Sequence, residues 1–362
     1  MRLRNIVLPL AVLVILLAAA GATYQTVATR ADARRFPEPG RLVDIGGYRL
    51  KLNCTGTGSP TVILESGLGD VSPEWEPVQT EIAKFSRVCS YDRAGYGGSD
   101  AGALPRTSSR IAQELHALLQ HAGEKPPFLL VGHSFGGYNV RVFNGKFPQE
   151  VAGLVLVDSV QEDQYTALPP VWVSTAMQKH FRSQATWAPL LIDLGVARLR
   201  LRAAGQDDDS YLYLQTKYLR ARASEVENIR ASAEQARAAG GLGDKPLVVL
   251  TAGEKPDAVR YGVTQQDVEG YQRVWVDDLQ LRLAHLSSRG KRVIVQHSGH
   301  NIPAENPKSI VNAVRELWME ANMHQFVRRN GPTSSLSSPQ FPAQTEKTKP
   351  VIISCLTALH AN

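Results

Sequence analysis

A serine lies in a glycine-bracketed pentapeptide, Gly132-His133-Ser134-Phe135-Gly136, directly after the apolar run 128–131 and before a helical pattern. This context predicts a sharp, strained turn from a strand into a helix, where side chains at 132 or 136 would collide with neighbouring backbone. Such a turn lifts the Ser134 hydroxyl to the edge of a sheet, and the N–H groups that begin the helix favour a developing oxyanion. The pattern therefore predicts an activated serine nucleophile. Neither a dinucleotide fingerprint nor a phosphate-loop motif is present.

Short apolar runs alternate with helical patterns along most of the chain. Such runs, bounded by turns, are typical of strands buried on both faces of a parallel sheet. They lie at 61–64, 88–91, 128–131, 155–157, 247–250 and 293–295. Two further runs, 41–45 and 48–53, flank Gly46-Gly47, which is a hairpin signal. Because helical patterns separate the later strands, we expect stacked βαβ units. The predicted fold class is α/β, with a mostly parallel eight-stranded sheet flanked by helices.

Two segments break this alternation. Residues 161–245 contain no convincing strand and are rich in Ala, Arg, Leu and Gln. They predict a helical lid, inserted after the sixth strand of a domain that covers residues 41–322. Beyond 322 the chain becomes rich in Ser, Pro and Thr, and we expect residues 323–362 to form a disordered tail.

The N-terminus has the pattern of an export signal or a membrane anchor. Arg2 and Arg4 precede an apolar run at 6–22, close to the lower limit of roughly 17–25 residues for a spanning helix. The polar residues 23–40 are expected to form a linker. A retained segment 1–22 implies a membrane-anchored, extracytoplasmic domain, whereas cleavage implies a secreted or periplasmic one.

The composition excludes several classes of site. The chain has 362 residues, 43% hydrophobic and 20% charged, which is ordinary for a globular protein. Its formal net charge of +6 is scattered rather than interleaved with aromatic residues, so no nucleic-acid partner is expected. The cysteines lack zinc-ligand spacing, and no metal or organic cofactor is expected. The oligomeric state is left undetermined.

Three blocks of sequence resemble a known family. They are Leu42-Val43-Asp44-Ile45-Gly46-Gly47, Tyr91-Asp92-Arg93-Ala94-Gly95-Tyr96-Gly97 and Gly132-His133-Ser134-Phe135-Gly136-Gly137. With them, residues 41–322 resemble the α/β-hydrolase superfamily, and in particular bacterial hydrolases that are membrane-anchored or exported. The resemblance implies the α/β-hydrolase fold and an esterase-like or lipase-like serine hydrolase with Ser134 as nucleophile.

The same resemblance implies the base and the oxyanion hole. Ser298-Gly299-His300 resembles the family's histidine loop, so His300 is the expected general base, and nearby His297 is interpreted as a strand-end residue. The expected oxyanion donors are the backbone N–H groups of Phe135 and Leu68. Ser66 stands where many relatives have histidine, a departure that leaves the backbone donor intact.

Two aspartates could complete a catalytic triad by orienting the histidine and stabilising its imidazolium form. Asp158 ends the strand at 153–157, and some superfamily members place the acid there. Asp257 follows the next strand, which is the more usual location, but it lies four residues after Gly253 and across a proline. We favour Asp158 and keep Asp257 as the alternative acid.

Two further expectations concern a disulfide and the substrate. In this topology the second strand lies antiparallel beside the fourth, which brings Cys54 towards Cys89 at a spacing that suits a disulfide. Export is compatible with such a bond.

The proposed lid has aromatic residues that could line a hydrophobic acyl pocket or could pack against one another without a role in binding. They are Tyr165, Trp172, Trp187, Tyr211, Tyr213 and Tyr218.

The expected activity is therefore hydrolysis of a small, hydrophobic carboxylic ester through an acyl-enzyme. An amidase, an aminopeptidase or a carbon–carbon hydrolase would use the same three side chains. A non-catalytic binding module on this scaffold is the alternative from another class. Because such modules usually lose the serine or the histidine, the presence of Ser134 and His300 favours an enzyme.

Overall fold

The expected sheet is present in the computed structural model, which describes residues 2–35, 39–173, 186–203 and 212–330. The strands are β1 (Arg41–Asp44), β2 (Arg49–Thr55), β3 (Thr61–Glu65), β4 (Val88–Tyr91), β5 (Phe128–His133), β6 (Val151–Val157), β7 (Leu247–Ala252) and β8 (Gly290–Val295). Their order in the sheet is β1-β2-β4-β3-β5-β6-β7-β8. Strand β2 is antiparallel to β1 and β4, and all other neighbours are parallel. The predicted α/β-hydrolase fold with a mostly parallel eight-stranded sheet is confirmed.

One helix precedes the sheet, and the other described helices follow or connect its strands. They are α1 (Arg2–Arg35), α2 (Glu76–Ile82), α3 (Ser108–Ala122), α4 (Gly136–Lys146), α5 (Gln164–Ala167), α6 (Val196–Ala203), α7 (Thr216–Glu227), α8 (Ile229–Ala238), α9 (Ala258–Tyr261), α10 (Gln265–Tyr271), α11 (Gln280–Ala284), α12 (Ile302–Glu305) and α13 (Pro307–Asn330). Residues 186–193 are also helical. Short 3-10 turns lie at Ser72–Trp75, Pro148–Glu150 and Pro170–Val173, and Gln272–Leu279 forms a π-helix.

Alternate residues of the central strands bury against opposite layers. On β5, Leu130 joins a core shared with α3 and α4, whereas Leu129 and Val131 join a core shared with α2 and α13. Both faces are therefore apolar, which explains the uninterrupted hydrophobic runs of the strand sequences. The sheet is held between two helical layers, and the carboxyl ends of its parallel strands meet at one edge.

The segment between β6 and β7, residues 161–245, is called the insertion below. Where the structure describes it, at 161–173, 186–203 and 212–245, it is helical or irregular and contains no strand of the main sheet. Helix α8 packs on α3 and α4, so part of the insertion belongs to one helical layer of the domain.

Helix α1 differs from the expectation for residues 23–40. It continues without a break to Arg35, so most of the expected polar linker is helical. One face of it is buried, at Gln25, Ala28 and Asp32, with the three- and four-residue spacing of a helix face. Arg198 of α6 donates to Gln25 Oε1 at 3.0 Å and pairs with Asp32. The polarity of this segment reflects a polar helix–helix contact with the insertion.

The N-terminal part of α1 has an exposed, apolar surface. The span Ile6–Arg35 is long and apolar enough to cross a membrane, with a mean hydropathy of 2.6 over its most apolar window, none of which is buried. The described chain forms one compact unit up to Met323, and a second unit begins at His324. Helix α13 continues to Asn330, beyond the expected domain end at 322, and the rest of the predicted tail lies outside the described residues.

Candidate active site

The turn after β5 has the strained geometry that the sequence predicts. Ser134 has a backbone φ of +50°, in the left-handed region that non-glycine residues rarely adopt. A Cβ at Gly132 would lie 2.7 Å from the Gly136 carbonyl oxygen, and one at Gly136 would lie 2.5 Å from the Glu65 carbonyl oxygen. Glycine is therefore required on both sides, and Ser134 stands at the start of α4.

Three of the predicted site residues meet at the carboxyl edge of the sheet. His300 Nε2 lies 3.0 Å from Ser134 Oγ, and His300 Nδ1 lies 2.6 Å from Asp158 Oδ2. The aspartate is fully buried, whereas the histidine side chain is 49% exposed. This geometry lets a neutral imidazole accept the serine proton at Nε2 while its Nδ1–H donates to the carboxylate.

Opposing influences act on the pKa of His300. Loss of hydration is the largest of them and lowers the pKa, but the hydrogen bond and negative charge of Asp158 raise it, with a smaller contribution from Asp70. The net result is a pKa above the ordinary value of 6.5. The imidazolium form that would arise when the serine loses its proton is therefore stabilised.

Asp158 is held on its other side by two donors. Its Oδ1 accepts from the backbone N–H of Ala252 at 3.0 Å and from Trp275 Nε1 at 3.1 Å. Sequence reasoning missed Trp275, which lies in the π-helix Gln272–Leu279, a distortion often found at functional sites. Nothing in the local sequence signals this contact, because Trp275 is 117 residues from Asp158.

The alternative acid lies elsewhere. Asp257 is exposed, and its Oδ1 accepts from the backbone N–H of Val259 at 2.8 Å, at the start of α9.

Two other histidines lie near the site residues in the sequence. His297 is an exposed residue with a φ of +56° after β8. His133, which precedes the nucleophile, donates from Nε2 to the His300 carbonyl oxygen at 3.0 Å and so supports the histidine loop.

The residues expected to form an oxyanion hole flank the elbow. Phe135 precedes the first residue of α4, and Leu68 lies in the loop after β3. Among the described residues, neither backbone N–H donates to a backbone carbonyl, so both are available as donors. The Oγ of Ser66, at the position where the family resemblance leads us to expect histidine, accepts from Trp75 Nε1 at 2.9 Å. The substitution thus has its own local partner.

Two cysteines lie opposite each other on adjacent strands of the sheet. Cys54 of β2 and Cys89 of β4 are paired in register, and a disulfide joins them with a Cα–Cα distance of 4.1 Å. This is slightly below the usual range of about 4.4–6.8 Å.

The aromatic residues of the insertion form two packed groups. Trp172 packs against Tyr271, which stacks on Trp275, while Tyr213 packs against Tyr218, which packs against Tyr96. Trp187 is exposed, Tyr165 lies under the guanidinium of Arg230, and Tyr211 lies outside the described residues.

A cavity of about 750 Å³ lies between α5 and the π-helix. Tyr165 lines this cavity, but Ser134, His300 and Asp158 do not. We therefore do not assign it as an acyl pocket.

Comparison with known proteins agrees with this architecture. A family model for the alpha/beta hydrolase fold matches residues 60–204. An AB hydrolase superfamily protein of Gibberella zeae is 28% identical over 286 residues, which cover 71% of this chain and 86% of that protein. The protein YqjL of Bacillus subtilis is 24% identical over 268 residues, covering 74% of this chain and 86% of YqjL.

A solved structure has the same fold. An esterase from Thermogutta terrifontis superposes with a TM-score of 0.54 at 20% identity, covering 78% of this chain and 99% of the esterase. The family match, the relatives and the sheet order agree with one another. The chain therefore has the α/β-hydrolase fold and is similar to members of that superfamily.

Proposed function

We propose that this α/β-hydrolase cleaves a carboxylic ester, or a related acyl bond, through an acyl-enzyme on Ser134. The observation that supports this proposal is the unbroken hydrogen-bond chain from Ser134 Oγ to His300 (3.0 Å) and from His300 to Asp158 (2.6 Å). A serine hydroxyl is a poor nucleophile until a base takes its proton, and His300 Nε2 is within reach of it.

In the proposed reaction, His300 Nε2 takes the hydroxyl proton as Ser134 Oγ bonds to the acyl carbon. The carbonyl oxygen becomes an oxyanion, which the N–H groups of Phe135 and Leu68 stabilise. His300 then gives the proton to the leaving alkoxide, and an alcohol departs. Water next donates a proton to His300 and attacks the acyl-enzyme. The acid leaves, and the proton returns to Ser134, while Asp158 stabilises the imidazolium throughout.

Labelling with a fluorophosphonate probe tests the nucleophile. Wild-type protein and a Ser288→Ala control, which changes an exposed serine, should both be labelled, whereas Ser134→Ala should not be. Failure of the folded wild type to react would contradict the proposal and favour a binding module on the hydrolase scaffold.

A substrate panel then defines the bond that is cleaved. We expect turnover of p-nitrophenyl esters, and the dependence of the rate on acyl chain length would define the size of the acyl site. Matched anilides report amidase activity, and a vinylogous diketone reports carbon–carbon hydrolysis. Faster turnover of either of these substrates than of the esters would replace the ester proposal with that activity.

We further infer that α1 is a retained membrane anchor and that the hydrolase domain lies outside the cytoplasm. The apolar part of α1 can span a bilayer, and the helix then continues into a buried contact with the insertion through Asp32 and Arg198. A helix built into the domain in this way is a poor candidate for a removable leader. The Cys54–Cys89 disulfide favours an oxidising compartment.

Membrane fractionation and N-terminal sequencing test the anchor. The native protein should remain in the membrane pellet after an alkaline carbonate wash, and its sequence should begin before residue 22. A soluble protein that begins after the apolar run would show that the segment is a cleaved signal.

A further inference from the structure

The oxyanion loop, defined here as residues 66–69, is bonded from behind through its carbonyl groups. Arg93, in the turn after β4, donates from Nη1 to the Ser66 oxygen and from Nη2 to the Gly67 oxygen, each at 2.7 Å. The hydroxyl of Tyr218 on α7 donates to the Gly69 oxygen at 3.0 Å. Side chains from two other parts of the chain therefore hold three of the four carbonyl groups of this loop.

These bonds determine where the loop's donor points. In a trans peptide, the carbonyl oxygen of one residue and the N–H of the next point in opposite directions. Because the Gly67 oxygen faces Arg93, the N–H of Leu68 faces away from Arg93. The loop also abuts the elbow, since a Cβ at Gly67 would lie 3.0 Å from His133 Nδ1 and one at Gly136 would lie 2.8 Å from the Ser66 oxygen.

Arg93 is itself fully engaged. Its side chain is only 2% exposed, and a guanidinium offers five N–H donors in a rigid fork. Two of these bonds go to the loop carbonyls, one goes to Glu65 Oε1 at 3.1 Å, and two go to Glu225 Oε1 and Oε2 at 2.9 and 3.0 Å. The fork therefore cannot turn without breaking several buried, charge-assisted bonds.

Glu225 connects this fork to the insertion. It is fully buried on α7 and also accepts from the Tyr96 hydroxyl at 2.6 Å. The same helix contacts the turn after β4 directly, because a Cβ at Gly95 would lie 2.5 Å from Ala221 Cβ. Helix α7 therefore supports the oxyanion loop twice, through Tyr218 and through Glu225 acting on Arg93.

We propose that Arg93 is a positioning residue for the oxyanion hole, and that α7 of the insertion sets the orientation of that hole through Glu225 and Tyr218. The inference rests on the proposed acyl transfer at Ser134. It assigns a role in transition-state binding to the turn after β4 and to one helix of the insertion.

The test is Arg93→Lys, which keeps the buried positive charge but has only three donors and no planar fork. Loss of one oxyanion donor costs about 10²–10³ in kcat, so a displaced donor should lower kcat by about 10–100-fold with KM within about twofold. The affinity for a trifluoromethyl ketone, which forms a tetrahedral adduct with the serine, should fall in parallel with kcat/KM. Arg198→Lys is the matched control, because Arg198 is also buried and paired but does not contact the loop; its kcat should be unchanged.

Tyr218→Phe provides a second, milder variant, which removes the hydroxyl that donates to the Gly69 oxygen and leaves the aromatic ring in place. It should lower kcat a few-fold, again with KM unchanged. Circular dichroism and thermal melting show whether Arg93→Lys is folded, and if it is not, Tyr218→Phe is the variant that tests the inference. A folded Arg93→Lys variant with wild-type kcat would overturn the inference, and so would an effect of this variant on KM alone. If Arg93→Lys does not fold, a Tyr218→Phe variant with wild-type kcat would overturn the inference. An inactive wild type is a different result, which contradicts the proposed function and the inference with it.

Discussion

Asp158 and Asp257 both follow parallel strands that are neighbours in the sheet, yet their surroundings differ. Asp158 comes directly after β6, is fully buried and has a φ of +38°. It contacts His300 with one carboxylate oxygen and accepts two N–H groups with the other. Asp257 lies five residues after the end of β7, is exposed, and accepts from the N–H of Val259 in its own turn.

The difference shows that two neighbouring strand ends can have different roles at the same site. The end of β7 supports the histidine loop through backbone bonds, because the N–H groups of Gly253 and Glu254 both donate to the Ser298 oxygen at 3.0 Å. The end of β6 supplies the carboxylate instead. A side chain next to a strand is fixed by the sheet itself, whereas one five residues further on follows the direction of its loop.

The largest expected effect is that of Asp158→Asn. An amide in place of the carboxylate disfavours the correct histidine tautomer and no longer stabilises the imidazolium, which costs about 10⁴ in kcat in a serine triad. Steady-state kinetics with an ester substrate measures the loss, and circular dichroism checks that the variant is folded. Activity within tenfold of the wild type would remove Asp158 from the proposed triad.

A pH profile sharpens the same comparison. The base must be neutral, and the pKa of His300 lies above 6.5, so kcat/KM should fall tenfold per pH unit below an apparent pKa higher than 6.5. Because Asp158 raises this pKa, the residual activity of Asp158→Asn should have its acid limb at lower pH. Asp257→Asn should leave the limb in place; a shift in that variant instead would reverse the assignment.

A smaller effect is expected for Trp275→Phe. It removes one of the two donors to Asp158 Oδ1 and leaves the Ala252 N–H. A hydrogen bond to a charged group contributes about 1.5–3 kcal/mol, only part of which depends on the reaction, so kcat should fall about tenfold. Trp318→Phe is the control, because this residue packs against Phe85 on the opposite side of the sheet. An equal loss in both variants would indicate a general packing defect.

The smallest effect should be that of Asp257→Asn. Its carboxylate accepts a backbone N–H in an exposed turn, a role that an asparagine side chain can also fill. We expect kcat within about twofold of the wild type and little change in melting temperature. A loss of a hundredfold or more would identify Asp257 as the functional acid and require a loop position different from the one described.

Sequence patterns predicted the sheet well because each central strand is buried on both faces and has a continuous apolar run. They also predicted the elbow, since its glycines are required by close backbone contacts at 132 and 136. The acid stayed open because both aspartates follow apolar runs. Only the position of the histidine loop over β6 and β7 distinguishes them, and that position is a tertiary property.

Contacts between distant segments were not predictable. Arg93 and Glu225 are 132 residues apart, and neither belongs to a local pattern that signals a partner. Residues 23–35 illustrate a second limit. Their polar composition suggested a linker, whereas they form a helix whose Gln25 and Asp32 bind Arg198, so polarity there marks a specific contact instead of solvent exposure.

The Cys54–Cys89 disulfide closes a covalent ring, with a sequence separation of 35 residues, that contains β3, the oxyanion loop and α2. A ring of this size removes conformational freedom from the unfolded chain worth about 4 kcal/mol in the chain-entropy description. That gain falls on the segment with Leu68, the proposed oxyanion donor, while the serine, the histidine and both aspartates lie outside the ring. Reduction should therefore accelerate amide hydrogen exchange in β3 and β4 before it does so in β7 and β8, and a reducing compartment would loosen the hole while leaving the nucleophile in place.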